Sequence, residues 1–196
     1  MSISLREQKK RDRRERLFSA AMRLFEHKGF QETTVLEIAK KAKVSRGTFF
    51  NYYPYKEAIL IEHLAQKLAE IQTQLKTRGL ASPIEAISIL LEELAAFLEL
   101  NRDIVLPLSY ELLNPNPERS RQAYLSLPLV PILYDYLTEA KEKGLVRKDF
   151  SRERLARTLA NTFFLTALQW AAYRQDRSIS EELRTALTLA LEGMLV

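Results

Sequence analysis

Cysteine is absent from this chain of 196 residues, and glycine is scarce, with five residues. The missing thiols exclude a disulfide framework, a cysteine nucleophile and a thiolate metal site. Their absence also fits a reducing cytoplasm, which is the location that we expect. Few glycines, together with the lack of alternating β-branched stretches, favour an all-helical fold over a sheet.

Other features that an enzyme or a membrane protein would need are also missing. The two histidines, His27 and His63, belong to no triad or metal-ligand pattern, and no phosphate-binding glycine loop occurs. We therefore expect no catalysis, no metal and no cofactor. The longest nearly apolar run, residues 163–173, is far shorter than the roughly 20 residues of a membrane-spanning helix. The charged N-terminus does not resemble a secretory signal, so no membrane partner is expected.

The positive charge of the chain is concentrated near its N-terminus. Residues 1–56 hold 14 Lys/Arg and 6 Asp/Glu, a net charge of +8, whereas the remaining 140 residues have a net charge of −3. A basic segment joined to a larger, mildly acidic one indicates a polyanionic partner for the first. Charge alone leaves a second interpretation open, in which the basic face is solvated and binds nothing.

Two short helical patterns with a tight turn between them lie within Thr33–Lys56. The first has an apolar face at helical spacing, with Thr34 as its N-cap and Glu37 placed to complete a capping box. The second begins after Ser45, another good N-cap, and ends before Pro54. Because two residues separate the patterns, the helices must meet at a sharp angle. This is the outline of a helix-turn-helix, whose second helix enters the major groove of DNA.

A longer helix precedes this pair and completes a three-helix unit. Its apolar face begins at Leu17, and the helix ends at Gly29, a residue suited to a helix C-cap. We expect the polar, basic residues before Leu17 to be a frayed extension of this helix. The helix has to cover the two short helices, because neither buries enough surface alone.

The stretch Val44–Glu57 resembles the TetR family of bacterial transcriptional regulators, and the resemblance extends over about residues 14–60. The residues that match the family signature are Thr34, Ile38, Ala39, Ala42, Val44, Ser45, Gly47, Thr48, Tyr52, Lys56 and Glu57. Four positions depart from it. Lys43 replaces the usual turn glycine, Phe50 a tyrosine whose hydroxyl often meets a phosphate in relatives, Tyr53 a buried phenylalanine, and Tyr55 a capping serine.

The candidate DNA-binding residues follow from their chemistry and from this resemblance. Arg46 is the candidate for base reading, since a guanidinium bonds guanine bidentately, and Gly47 leaves the front of the helix bare for close approach. Phe49 and Tyr53 are expected in the core rather than on DNA. Capping alone is the alternative role of Thr34 and Ser45. The full predicted set is Thr34, Lys43, Ser45, Arg46, Gly47, Thr48, Asn51, Tyr52 and Lys56.

Six further helices are predicted after Tyr55, so that residues 1–55 form the DNA-binding domain and residues 56–196 a second domain. The first of the six starts at about Lys56 and directly joins the two. Breaks or kinks are expected at Pro107, Pro128 and Pro131. The last two helices are apolar over more than one face, which favours a homodimer interface of two helices per protomer. Purely intramolecular packing is the alternative.

The family resemblance implies a small-molecule pocket in the second domain, between its first five helices. Phe97, Tyr110, Tyr134 and Trp170 are its candidate wall residues, and ordinary core packing is the alternative for each. Few charges occur in these helices, so a mainly apolar effector is expected. The predicted function is a ligand-responsive repressor that leaves a near-palindromic DNA operator when the effector binds. The alternative is an architectural or protein-interaction helix-turn-helix module without a ligand.

Overall fold

The computed structural model describes residues 4–173 and 176–195, and it confirms the all-α class for them. Strand-like pairing among these residues is limited to an isolated antiparallel bridge between Val146 and Leu195. The chain divides into two compact units, Met1–Leu60 and Ile61–Val196, and the boundary falls inside α4. The helices of the described residues are α1 (Leu5–Lys28), α2 (Val35–Lys41), α3 (Arg46–Phe50), α4 (Glu57–Thr77), α5 (Pro83–Leu100), α6 (Arg102–Leu112), α7 (Pro117–Ser126), α8 (Leu129–Glu142), α9 (Arg152–Tyr173) and α10 (Ile179–Glu192).

The basic residues at the start of the chain are helical, and the expectation of a frayed extension is wrong. Ser4 caps α1 by accepting a hydrogen bond from the backbone N–H of Glu7, whose carboxylate accepts the N–H of Ser4 at 3.1 Å. This capping box satisfies amides that would otherwise lack partners. At the other end, Gly29 has a φ of 84° and donates its N–H to the carbonyl of Phe25, as the predicted C-cap requires.

The first unit is built by packing α1 on α2 and α2 on α3. Because α3 has five residues, its own hydrogen bonds cannot stabilise it in water. Phe49 and Tyr53 hold it in place, since their side chains are 0% and 1% exposed and their rings pack 5.8 Å apart. The predicted burial of both residues is confirmed.

The second unit is arranged around α9, which packs against α5, α6, α8 and α10. The helical spacing predicts a buried stripe of Leu155, Leu159, Phe163, Thr166 and Trp170, and all of these are buried except Thr166, which is half-buried. By contrast, α7 packs against α6 alone among the helix pairs with extensive contact in the described residues. Its extensive contacts therefore connect it to the rest of the unit through α6.

The number of helices differs from the prediction, because the stretch expected to be one interrupted helix forms two, α7 and α8. The described residues thus contain ten helices rather than nine, and seven rather than six follow the helix-turn-helix unit. Pro128 is the cause. The residue before it, Leu127, has extended φ and ψ of −98° and 111°, as the clash with a proline ring demands. Pro131 lies in the first turn of α8, where a missing N–H costs nothing.

Pro107 does not break α6, which is continuous from Arg102 to Leu112. A proline inside a helix removes the N–H that would bond the carbonyl four residues earlier, here that of Asp103. Because α6 begins at Arg102, this loss falls in its first turns. Here the expected break does not occur.

Candidate nucleic-acid interface and apolar cavity

The start of α3 is held by a pair of hydroxyl groups. Ser45 Oγ accepts a hydrogen bond from the backbone N–H of Thr48 at 3.0 Å and lies 2.8 Å from Thr48 Oγ1. One hydroxyl must donate to the other, so the second keeps its own proton. Capping of α3 by Ser45 therefore leaves one O–H donor for a phosphate or a base edge.

Arg46 and Gly47 occupy the exposed side of α3. Gly47 is not needed there for the fold, since its φ is not positive and a Cβ built on it would lie 3.9 Å from Ser45 Oγ, an ordinary contact. The predicted role of Gly47, to let DNA approach the helix backbone closely, stays a prediction. Arg46 places its guanidinium carbon 5.6 Å from the ring centroid of Phe50, one turn later.

The turn between α2 and α3 contains a residue in the left-handed region, Lys43, with a φ of 56°. This conformation costs a residue with a Cβ roughly 1–2 kcal/mol relative to the right-handed one. The turn tolerates that cost because Val44 donates its N–H to the carbonyl of Ala39 at 3.0 Å. Lys43 is exposed and lies near the exposed Lys41 and Arg16, so the turn presents several cations to solvent.

Thr34 forms the predicted capping box with Glu37. Its hydroxyl donates to Glu37 Oε2 at 2.8 Å and accepts the backbone N–H of Glu37 at 3.3 Å. Lys28 Nζ lies 2.7 Å from the other carboxylate oxygen. The hydrogen bond from Lys28, followed by those from Thr34, lowers the pKa of Glu37 to about 2. The capping role of Thr34 is thus present in the structure, and its contact with DNA stays a prediction.

Lys56 has a structural task that sequence reasoning did not identify. Its Nζ donates to the carbonyl oxygens of Phe30 at 2.8 Å and Thr33 at 2.9 Å, and it lies 4.0 Å from the centroid of the Phe30 ring. Burial lowers the pKa of Lys56 below its ordinary value. The ammonium group therefore ties the α1–α2 loop to the start of α4, and a phosphate would have to compete with these carbonyls.

A groove of about 560 Å³ runs between the first turns of α1 and the end of α3. Three of the predicted residues, Thr48, Asn51 and Tyr52, line one wall of it. The other wall is the basic start of α1, which carries Arg6, Lys9, Lys10 and Arg13. These four cations are missing from the predicted site, because we expected this segment to be frayed. The run of lysines and arginines at the start of the chain could have identified them, and Ser4 is the residue that caps their helix.

An apolar cavity of about 250 Å³ lies in the second unit, between α6, α7 and α9. Hydrocarbon side chains dominate its walls, while three residues offer a polar group. The lining residues are Ser109, Leu112, Leu113, Tyr124, Asn161, Phe164, Leu165 and Leu168.

The four predicted wall residues, Phe97, Tyr110, Tyr134 and Trp170, do not line this cavity. Trp170 is a core residue, 1% exposed, whose Nε1 donates to the carbonyl of Arg177 at 2.7 Å. Phe97 packs edge-on against His63 at 5.0 Å. Tyr110 is 64% exposed and Tyr134 is 36% exposed. Ordinary core packing, the alternative for each ring, describes Trp170, and two of the other rings lie at the surface.

An ion pair between a buried carboxylate and a half-buried arginine closes the α6–α7 corner beside the cavity. Glu111 is 4% exposed, and its two carboxylate oxygens accept hydrogen bonds from Arg119 Nε at 2.7 Å and Nη2 at 2.5 Å. Ser120 Oγ adds a bond to the carbonyl of Leu112 at 2.7 Å. Such a bidentate pair fixes orientation as well as distance. These contacts hold α7, and with it Tyr124, against the cavity.

Neither a metal site nor a membrane segment is found in the part of the chain that the structure describes. No group of three or more acidic, histidine or cysteine side chains is placed to hold a metal ion there. None of the described helices combines the length and apolar character that crossing a bilayer requires.

Comparisons with known proteins cover both units. Residues 17–63 match the model of bacterial regulatory proteins of the tetR family. Residues 59–193 match the C-terminal domain of TetR/AcrR family transcriptional repressors. The transcriptional regulator HbdR of Aromatoleum sp. is 33% identical over 94 residues, which is 47% of this chain and 41% of that protein.

Two solved structures share the fold along almost the whole chain. Thermus thermophilus FadR, a TetR family transcriptional repressor in complex with lauroyl-CoA, is 50% identical with a TM-score of 0.85, covering 93% of this chain and 95% of that one. Bacillus subtilis FadR in complex with stearoyl-CoA is 22% identical with a TM-score of 0.70, covering 91% and 98%. The resemblance seen in Val44–Glu57 is thereby confirmed, and this chain belongs to the TetR family of bacterial transcriptional regulators.

Proposed function

We propose that this protein is a homodimeric repressor that leaves its operator when a long-chain acyl-CoA occupies the cavity between α6, α7 and α9. The observation that carries the proposal is the T. thermophilus FadR complex with lauroyl-CoA, whose protein is 50% identical over 93% of this chain. The alkyl chain of such an effector fits the expectation of a mainly apolar ligand. Its coenzyme head adds negative charge that this expectation did not include.

The walls of the cavity support an alkyl ligand. Leu112, Phe164 and Leu168 offer hydrocarbon surface, and each buried methylene of an alkyl chain gains about 0.8 kcal/mol. The volume of about 250 Å³ is slightly below the roughly 300–1,000 Å³ of common ligand pockets. Entry of a long chain would therefore widen the cavity. Because α7 makes its extensive contacts with α6 in the described part of the chain, widening by a movement of α7 would have to break or strain the Glu111–Arg119 pair that holds it.

The anionic head of a coenzyme requires cations near the cavity. Two of the helices that line it, α7 and α9, carry the exposed arginines Arg121 and Arg157. Arg157 lies one helical turn before the cavity residue Asn161. Arg121 pairs with Glu118 at 3.8 Å and Arg157 with Glu153 at 2.9 Å, so a phosphate group would have to compete with these exposed and individually weak ion pairs.

The DNA-binding half of the proposal depends on α3 and on the basic start of α1. Arg46, Gly47 and Asn51 are exposed on or beside α3. The hydroxyl of Thr48 is paired with that of the N-cap residue Ser45. The lysines and arginines of the groove supply sequence-independent attraction to phosphates, while the side chains of α3 read bases. Two such helices in a dimer require a near-palindromic operator.

The dimer is proposed to form through α9 and α10. Tyr173 and Leu189 on these helices are 83% and 67% exposed in the single chain. Large apolar side chains favour burial in an interface, so their exposure supports a partner at this surface. An effector that prefers one dimer geometry then shifts the population away from the one that fits DNA. Its preference between the two geometries limits how completely the DNA is released.

The proposal is tested with the purified full-length protein in two steps. Selection of bound genomic fragments supplies the operator, and lauroyl-CoA is then titrated into the complex. We expect release of the operator and a raised melting temperature, since a ligand of the folded state stabilises it. Leu113→Trp, at an exposed cavity position, should raise the lauroyl-CoA concentration needed for release.

Leu100→Trp is the matched control, because Leu100 is 87% exposed and is not among the residues that line the cavity. Equal responses of the two tryptophan variants would locate the effector elsewhere. An unmodified protein that binds its operator but ignores lauroyl-CoA would refute the effector class and leave the DNA-binding half standing.

A further inference from the structure

Phe50 is the least expected residue on the DNA-facing side of the first unit. Its ring is 43% exposed, and it replaces the tyrosine that is usual at this position of the family. A phenylalanine has no hydroxyl to offer a phosphate. Its exposure on a segment otherwise rich in polar groups therefore needs another explanation.

The neighbours of Phe50 indicate what the ring does. On one side its edge meets the ring of Phe49 at a centroid distance of 5.4 Å and an interplanar angle of 87°. Phe49 is completely buried, so it anchors Phe50 to the core. On the other side the guanidinium carbon of Arg46 lies 5.6 Å from the Phe50 centroid. The three side chains form a stack from the core to the exposed guanidinium.

The stack is the contact that constrains Arg46 in the free protein. Among the described residues, no hydrogen bond or ion pair is recorded for its guanidinium, and its side chain is exposed. An unrestrained arginine loses rotamer freedom when it binds, which lowers affinity. A guanidinium held against an aromatic face has already given up part of that freedom, and the contact with the ring uses none of its five N–H donors in a conventional hydrogen bond.

We infer that Phe50 is a positioning residue for Arg46, which it holds in the orientation that reads guanine in the major groove. The inference rests on the proposed DNA-binding function and adds a residue that determines specificity. It assigns Phe50 no contact with DNA of its own. Removing the ring should therefore weaken base discrimination at the position that Arg46 reads, and at no other.

The test measures dissociation constants of the full-length protein for the selected operator and for a series with each base pair changed in turn. Arg46→Ala identifies the position that Arg46 reads, with a loss of discrimination of roughly 5- to 150-fold. Phe50→Leu keeps an apolar side chain without an aromatic face. It should lower discrimination at the same position by about two- to fivefold. The double variant should lose no more than Arg46→Ala alone.

Phe50→Tyr is the conservative variant. It keeps the aromatic face that Phe50→Leu removes, so it should keep the base discrimination of the unmodified protein. A melting temperature measured for each variant separates loss of positioning from loss of folding. In the free protein, the ring current of Phe50 should also shift the Arg46 side-chain proton resonances, and Phe50→Leu should remove that shift. This second measurement does not depend on DNA.

Several results would overturn the inference. Additive losses in the double variant, or a loss at a different base pair, would show that Phe50 acts on DNA directly. An Arg46→Ala variant with unchanged base preference would leave Phe50 nothing to position. If no genomic fragment is selected at all, the proposed function fails first. If an operator is found and the coupling is absent, this inference alone fails.

Discussion

Replacing Gly47 with alanine should stabilise the protein while weakening its binding to DNA. The backbone at Gly47 is helical rather than left-handed, and the added methyl would meet Ser45 Oγ at 3.9 Å without a clash. A helix with alanine at an interior position is more stable than the same helix with glycine there by roughly 0.5–1 kcal/mol. For a chain of this size that gain corresponds to a rise in melting temperature of roughly 1–4 °C.

The cost of the same methyl group should appear when α3 enters the major groove. Gly47 is exposed next to Arg46, so an added Cβ would lie between the helix backbone and DNA. Forcing one extra methyl into a closely packed contact costs typically 1–3 kcal/mol, which raises the dissociation constant roughly 5- to 150-fold. The assay pairs thermal unfolding of the free protein with binding to the selected operator, measured at one salt concentration.

Gly193→Ala is the matched control for this experiment. The new Cβ would lie 3.5 Å from the carbonyl of Leu189, again an ordinary contact, at the end of α10. We expect it to leave operator affinity unchanged. If Gly47→Ala bound DNA as tightly as the unmodified protein, close approach of the α3 backbone to DNA would be refuted. If it lowered the melting temperature, our account of the space around Gly47 would be wrong.

Three further predictions concern charged residues of the first unit. Replacing Arg6, Lys9 and Arg13 by alanine should lower the slope of log affinity against log salt by about 2–3, since each phosphate contact contributes about 0.9. Lys43→Gly should raise the free energy of unfolding by about 0.5–1 kcal/mol in a urea titration, because it removes the left-handed strain at a φ of 56°. Glu37→Gln should flatten the acid dependence of stability. The folded-state pKa of Glu37, about 2, is below its ordinary value of 4.5, so its stabilisation is present above about pH 4.5 and is lost as the pH falls toward 2.

Each of these predictions has a control. Arg121, Arg154 and Arg157 lie in the second unit, and their triple alanine variant should keep the salt slope of the unmodified protein. Lys43→Ala removes the same charge as the glycine variant but retains the left-handed strain. Equal stability of the two Lys43 variants would therefore contradict the prediction. A Glu37→Gln variant whose urea midpoint stayed parallel to that of the unmodified protein from pH 5 to pH 2 would contradict the role of the Lys28 and Thr34 hydrogen bonds.

The features of the fold that could be predicted are those that depend on neighbours in the sequence. Thr34 and Glu37 form their capping box within three residues, and Ser45 caps α3 through Thr48 in the same way. Such signals require no knowledge of the rest of the molecule. The helix-turn-helix could therefore be predicted from the sequence alone. The break at Pro128 was visible too, although we expected it to interrupt one helix rather than to separate two.

The family resemblance implied a pocket in this domain, but its wall residues could not be predicted, because they depend on which faces of distant helices meet. Trp170 has the size and polarity of a ligand-binding residue, but its N–H bonds the carbonyl of Arg177, seven residues later. Half of the residues that do line the cavity are leucines, which any core helix contains. Nothing in their local pattern distinguishes a cavity wall from a packed interior.

Lys56 shows how a correct match to a family pattern can still leave the role of a residue open. Its position before α4 favoured a phosphate contact, but its Nζ bonds the carbonyls of Phe30 and Thr33. Thr33 directly precedes the N-cap of α2, so this ammonium group connects the start of α2 to the start of α4. In the proposed mechanism a change in α4 would thus reach the helix-turn-helix through the half-buried Lys56 ammonium group as well as through the chain. Effector response would then depend on Lys56 even if no phosphate ever touched it.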